Sequence, residues 1–257
     1  MRRTILLILL LFPMLGLCQS IRIVWIGDSI TDGGWGRSGG SMAPAEERND
    51  RDQNHCYGHS YMFLCASALQ SDHPERGYSC FNRGISGYTL QELHTRWKQD
   101  IEALQPDVIS ILIGTNDVHR FLRHADAGST FDLIAWEQSY REYLRRTREA
   151  LPEVHLILCT PFVMQAGRLA ATPDYPQRAA TIAACAECIR HLADEFQAEL
   201  VDFHALFSQL EQQQAVPAEY WIWDGIHPTP AAHHRMARMW LHQTKRQLRK
   251  LSRESRQ

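Results

Sequence analysis

"DVISILIG", residues 107–114, decides the fold. From Val108 to Ile113 every residue but Ser110 is a branched aliphatic, with no polar alternation. A strand of that kind is buried on both faces, as in the interior of a parallel sheet. Working outward, Ile21–Ile26 and "EVHLILCT" (153–160) read as further buried strands, with shorter ones at Tyr78–Phe81 and Leu200–Phe203. Between them, helical periodicity runs over Tyr61–Leu69, Leu90–Leu104 (closed by Pro106), Phe131–Ala150, Gln177–Gln197 and Pro230–Leu251. Strand and helix alternate, so the expectation is an α/β chain with a mostly parallel sheet of about five strands and helices on both faces.

The chain has 257 residues, 44% hydrophobic and 22% charged, with a formal net charge of -2. Those values suit one globular α/β domain, assigned to residues 21–257, with no nucleic-acid or anionic-membrane partner. A basic C-terminal run (Lys245, Arg246, Arg249, Lys250) reads as a solvated helix end. Residues 1–20 read as a secretory signal: Arg2 and Arg3, an apolar run Ile5–Phe12 too short to span a bilayer, then Gly16, Cys18 and Ser20. Two processing routes stand open. Cleavage near Cys18–Ser20 gives a periplasmic or secreted enzyme with no transmembrane segment. A lipid anchor at Cys18 gives an outer-membrane lipoprotein, although Leu17 is large for that site. Export permits disulfides, and Cys56, Cys65 and Cys80 are candidates whose pairing spacing does not reveal. Cys185 and Cys188 lie within a helix, a poor place for a redox pair. No cysteine spacing matches a zinc site, no cofactor is called for, and nothing fixes the oligomeric state.

The first strand leads into "GDSITDGGWG" (27–36) and a long irregular stretch to Asn54. Gly34, Gly36 and Gly39 fit GxGxxG, but that fingerprint must leave the strand directly and open a helix. Here it starts several residues late and Pro44 follows; no lysine between Ile21 and Asn54 completes a P-loop. The alternative is Ser29, exposed by a turn at the strand's carboxyl end. Serine needs a base, and the base an orienter. "WDGIHP" offers both, because Asp224 and His227, three residues apart, can face the same way. Acyl transfer also needs donors for the oxyanion. "NRGISGYT" offers the Gly87 N–H, "GTND" offers the Asn116 amide, and Ser29 its own N–H. Taken singly, Gly87 also fits a plain turn and Asn116 a helix cap. All four motifs fall in loops that one sheet could bring to a single edge.

Gly27-Asp28-Ser29, Gly87, Gly114-Thr115-Asn116-Asp117 and Asp224-Gly225-Ile226-His227-Pro228 resemble, in order, the four blocks of the SGNH (GDSL-type) hydrolase superfamily. The usual GDSL reads GDSI here. The resemblance implies a flavodoxin-like three-layer α/β/α sandwich and a metal-free ester hydrolase. It implies Ser29 as nucleophile, His227 as base, Asp224 as its orienter, and an oxyanion hole of Ser29, Gly87 and Asn116. A neutral His227 is required at the outset, and since histidine ordinarily titrates near about 6.5, activity is expected to fall in mild acid.

The chain also resembles exported GDSL esterases of gut-type Bacteroidetes, which implies a carbohydrate O-acetylesterase. Trp35, Tyr88 and Trp223, close to the motifs, are the candidate sugar contacts, with Trp221 as a further aromatic. Arg48, Asn49 and Asp50 are candidates to reach substrate from the long loop. Lysophospholipase or thioesterase activity is the alternative within the same chemistry. A non-catalytic carbohydrate-binding protein on a hydrolase fold is the alternative outside it. Asp28 is expected to bond its own turn, Asn82 to tie loops together, Asp117 to cap a helix, and His233 and His234 to serve packing or surface.

Overall fold

The computed structural model describes residues 20–37, 48–49, 51–124, 126 and 128–254. Five strands, β1 (Arg22–Gly27), β2 (Ser79–Gly84), β3 (Val108–Leu112), β4 (His155–Cys159) and β5 (Glu199–Val201), form one sheet in the order β2-β1-β3-β4-β5. Every pairing is parallel. The order reverses between β1 and β3. In open α/β sheets ligands bind at such a switch point, outside the carboxyl ends of the strands.

The helices are α1 (Ser29–Asp32), α2 (Tyr61–Asp72), α3 (Leu90–Trp97), α4 (Thr115–His124), α5 (Leu133–Ala150), α6 (Tyr175–Glu195), α7 (Phe203–Gln213) and α8 (Pro230–Glu254). Successive strand side chains point to opposite faces. Ile23, Trp25, Val108, Ile157 and Cys159 therefore pack under α2, α7 and α8. Val24, Ile26, Ile109, Ile111, Leu156 and Leu158 pack under α3, α5 and α6. The three layers are those the sequence pattern predicts. Ser110, the one polar residue inside β3, accepts the indole N–H of Trp240 at 3.0 Å, and Trp240 packs on Trp25. A buried hydroxyl satisfied in this way ties α8 to the sheet's centre.

Several expectations are corrected. The helix predicted over Leu90–Leu104 stops at Trp97 and widens into a π-turn, Lys98–Glu102. Three helices, α1, α4 and α7, have no span in the sequence reading. α4 opens inside the GTND block, and α7 begins where Asp202 accepts the Ala205 N–H. Cys56, Cys65, Cys80, Cys159, Cys185 and Cys188 are all buried, and among the described residues no disulfide joins the three candidates Cys56, Cys65 and Cys80. Burial pushes the Cys65 thiol well above its ordinary value, and Cys80 and Cys159 up to about 12. The signal sequence, Cys18 included, lies outside the described residues. Among the described residues no helix is long and apolar enough to cross a membrane.

Candidate active site

Ser29 is the first residue of α1, directly beyond β1. Asp28 precedes it as the helix cap, accepting the Ile30 N–H at 2.9 Å, which matches its expected local role. The cap fixes how the chain leaves the strand and so where the serine hydroxyl stands. Asn82 donates to the carbonyls of Thr31, Asp32 and Tyr57, tying β2 to the α1 turn as expected.

Across the sheet, 198 residues later in the chain, His227 Nε2 lies 2.8 Å from Ser29 Oγ. Its other nitrogen, Nδ1, lies 2.8 Å from Asp224 Oδ2. A carboxylate can only accept, so Nδ1 carries the proton and Nε2 is left to accept from the serine. Asp224 Oδ1 meanwhile accepts the backbone N–H groups of Ile226 (3.0 Å) and His227 (2.7 Å). Burial pushes the Asp224 carboxyl up, but the His227 N–H, the imidazole and the Ile226 N–H outweigh it and hold Asp224 below its ordinary value. The loop is closed on itself by the Ile222–Pro228 bridge. It is also clamped from outside: Met164 N–H donates to the Gly225 carbonyl, and Leu169 packs under Gly225. Gly225 has φ +92°, and a Cβ there would come within 2.6 Å of Leu169, so both backbone and space require glycine.

The loops after β2 and β3 complete the edge. Ile85 N–H donates to the Gly27 carbonyl, fastening the β2–α3 loop to the end of β1. Gly87 follows at φ +84°, and its N–H has no partner among the described residues. Arg120 holds the Gly87 carbonyl at 3.0 Å and pairs with Glu92 at 2.8 Å. Asn116, in the first turn of α4, donates one amide hydrogen to the Tyr88 carbonyl at 3.0 Å, leaving the other free. The Ser29 N–H is likewise without a partner among the described residues. Asp117 caps no helix of its own: it accepts the Leu90 N–H and the Trp136 indole, joining α3, α4 and α5. Burial pushes it up to about 6.

The aromatic candidates divide. Trp223 is 60% exposed, and its ring lies nearly parallel to that of His227 with centroids 6.3 Å apart. Tyr88 is half-buried, packed against the core beside Gly87. Trp35 is not a rim residue. It is 1% exposed, lies between the guanidinium groups of Arg48 and Arg83, and donates its indole N–H to the Gly84 carbonyl. Two nearby glycines pack closely too: a Cβ on Gly33 would meet the His59 and Ser60 backbone, and one on Gly36 would meet Arg48.

Arg48 is likewise removed from substrate. It is buried and bonded to both oxygens of Asp32, which Arg37 and Ser86 also engage. Burial pushes the Asp32 carboxyl up, but Arg48, Ser86 and Arg37 together pull it below its ordinary value. Asn49 is exposed, and Asp50 lies outside the described residues.

One neighbour of the triad, Arg168, escaped the sequence reading, whereas His233 has the packing role expected of it. His233 Nδ1 accepts the Tyr61 N–H at the start of α2, and burial pushes the imidazole down to about 4. Arg168 lies 3.1 Å from Asp224 Oδ2 although it is 58% exposed. The signal for Arg168 was topological. β4 lies next to β3, so the loop after β4 must join the same edge. Among the described residues no cluster of histidine, cysteine and carboxylate side chains could hold a metal ion.

Comparison with known proteins gives the same grouping. Residues 25–235 match the model of the GDSL-like lipase/acylhydrolase family. An acetylxylan esterase of Geobacillus stearothermophilus is 30% identical over 225 residues, spanning 86% of this chain and 92% of that protein. The crystal structure of Axe2, an acetylxylan esterase from Geobacillus stearothermophilus, superposes with a TM-score of 0.69 at 30% identity over 87% of this chain and 93% of that one. A GDSL-like lipase structure from Parabacteroides merdae has a TM-score of 0.72 at 32% identity, covering 88% and 96%. LAE5, an α/β hydrolase from the Lake Arreo metagenome, has 0.70 at 28% identity, covering 90% and 98%.

Proposed function

The chain belongs to the GDSL-like lipase/acylhydrolase family and is a carboxylic ester hydrolase, and on that premise we propose that it removes O-acetyl groups from carbohydrate by a Ser29–His227–Asp224 triad. The observation that carries the mechanism is the unbroken line of 2.8 Å contacts from Ser29 Oγ through His227 to Asp224. Ser29 Oγ attacks the acetyl carbonyl as His227 Nε2 takes its proton. Asp224 holds the imidazole in the tautomer this requires and stabilises the imidazolium that forms. The N–H groups of Ser29 and Gly87 and the free amide hydrogen of Asn116 receive the oxyanion. Each such donor is worth about 10²–10³ in rate. As the tetrahedral intermediate collapses, His227 gives its proton to the departing sugar oxygen, which leaves as a hydroxyl group. Water, activated by the same imidazole, releases acetate from Ser29.

Carbohydrate is favoured by the acetylxylan esterase relative and by the exposed face of Trp223 beside His227, since aromatic faces suit sugar rings. The N-terminal segment, read as a secretory signal, supports a site of action outside the cytoplasm. The test compares wild type with Ser29→Ala on p-nitrophenyl acetate, longer acyl esters and acetylated xylan. The reading expects Ser29→Ala to lose at least about 10³ in kcat, and acetyl esters to be preferred. Equal rates in the two proteins would remove Ser29 from the mechanism. A preference for long acyl chains would favour the lysophospholipase or thioesterase alternative.

A further inference from the structure

In the segment from Ile85 to Leu90 every peptide N–H but one is bonded. Ile85 N–H donates to the Gly27 carbonyl at 2.9 Å, Ser86 to Asp32 Oδ2 at 2.9 Å, and Tyr88 to the Ile85 carbonyl at 3.2 Å. Thr89 N–H donates to Glu92 Oε2 at 2.8 Å, and Leu90 to Asp117 Oδ1 at 3.1 Å. The exception is the Gly87 N–H, which has no partner among the described residues. Backbone donors at a packed edge are normally paired, so a single unpaired one inside a bonded segment is a donor kept for a ligand.

The carbonyls of the same segment are gripped by one helix. Asn116 and Arg120 lie one turn apart on α4 and share a face. Asn116 Nδ2 donates to the Tyr88 carbonyl and Arg120 Nη2 to the Gly87 carbonyl, each at 3.0 Å. Arg120 Nη1 reaches Glu92 Oε1 at 2.8 Å, and the other oxygen of Glu92 accepts the Thr89 N–H and hydroxyl. Burial pushes the Glu92 carboxyl up, but Thr89 and Arg120 outweigh it and hold it below its ordinary value. Gly87 and Asn116 follow different strands, β2 and β3, and β1 lies between those strands. The sheet's own hydrogen bonds therefore do not join the two loops. The contacts from α4 do.

We propose that Arg120 is a positioning residue for the ester hydrolysis: bound to the Gly87 carbonyl and to Glu92, it fixes the spacing between the Gly87 N–H and the Asn116 amide that receive the oxyanion. The role rests on the Ser29 mechanism above, which brings an oxyanion to these donors. Arg120 touches no reacting atom. Its side chain is 51% exposed, so its ion pair adds little to the stability of the fold. What it contributes is preorganisation, since a donor aimed in advance need not move as charge develops.

The experiment measures kcat and KM on p-nitrophenyl acetate, and the melting temperature, for wild type, Arg120→Gln, Arg120→Lys and Ser29→Ala. It adds, for the first three, the Ki of phenylboronic acid, whose tetrahedral adduct on a reactive serine mimics the intermediate. Acylation and deacylation both pass through an oxyanion. Arg120→Gln is therefore expected to lower kcat about tenfold with KM nearly unchanged, and to raise the boronate Ki by a similar factor. Arg120→Lys keeps the charge but not the fork that reaches carbonyl and carboxylate together, and should fall between the two. Melting temperatures should stay within about 2 °C of wild type. Unchanged kcat and Ki in Arg120→Gln, with Ser29→Ala inactive, would overturn the positioning role and leave the esterase reading standing. A kcat that falls only with the melting temperature, at constant boronate Ki, would overturn it too, because Arg120 would then merely support the fold. A Ser29→Ala protein as active as wild type would overturn the esterase reading itself, and the positioning role with it.

Discussion

Asp32 and Asp224 are both buried carboxylates contacted by arginine, at opposite ends of the chain, and they do different work. Asp32 has Arg37 and Arg48 as partners, with side chains 9% and 2% exposed, and spends both oxygens on them and on Ser86 and Gly34. Asp224 has one exposed arginine and spends Oδ2 on an imidazole whose far nitrogen reaches a serine. The charge of Asp32 is fully matched inside the protein and can only hold the α1 turn and the β2–α3 loop together. The charge of Asp224 is met by two backbone N–H groups and one exposed guanidinium and stays available to a group that gains a proton during the proposed reaction. Burial of an aspartate does not mark a catalytic residue, then; what its partners can do when charge moves does.

The comparison predicts a double dissociation. Asp224→Asn should cost about 10⁴ in kcat, because the amide no longer enforces the required imidazole tautomer, while the melting temperature changes little. A loss below tenfold would end the distinction. Asp32→Ala should do the reverse. It takes the shared carboxylate away from two buried guanidinium groups, which costs about 3–5 kcal/mol and about 10 °C in melting temperature, while folded protein keeps most of its kcat. Equal melting temperatures would show that the Arg37–Arg48 cluster is not holding the turn.

Asp28 sharpens the contrast, because it is as buried as Asp32, four residues away, and none of its hydrogen bonds or ion pairs comes from a cation. Burial pushes it up to about 7. An acid raised in the folded state contributes its stability in full below the unfolded value near about 4 and loses it as pH rises through about 7. Wild type should therefore lose more melting temperature between about pH 5 and pH 8 than Asp28→Asn, whose amide oxygen can still accept the Ile30 N–H. Parallel curves for the two proteins would contradict this account of Asp28.

Much of the site was legible because it is written as separate short motifs. Ser29, Gly87 and Asn116 each sit just beyond the end of a strand, with Asp224–His227 on the loop between α7 and α8, and the parallel pattern around Val108–Ile113 implies that such strand ends share an edge. The sequence could not show what depends on a long-range partner. Trp35 lies close to Ser29 in the chain, yet it is core because Arg48 and Arg83 close over it. Arg168 stands in a loop with no motif and acquires meaning only from its 3.1 Å approach to Asp224. The α4 and α7 helices were missed for a related reason. Their starts were read as the end of the preceding strand or turn, and only tertiary packing extends them.

The most direct test of the central claim is covalent. A reactive ester mimic, such as an alkyl fluorophosphonate, should modify the protein once, and mass spectrometry of the digest should find the adduct on the peptide containing Ser29. The His227→Ala protein should be labelled at least about 10³ times more slowly. An adduct on another residue, or unabated ester hydrolysis by a protein fully blocked at Ser29, would contradict the triad.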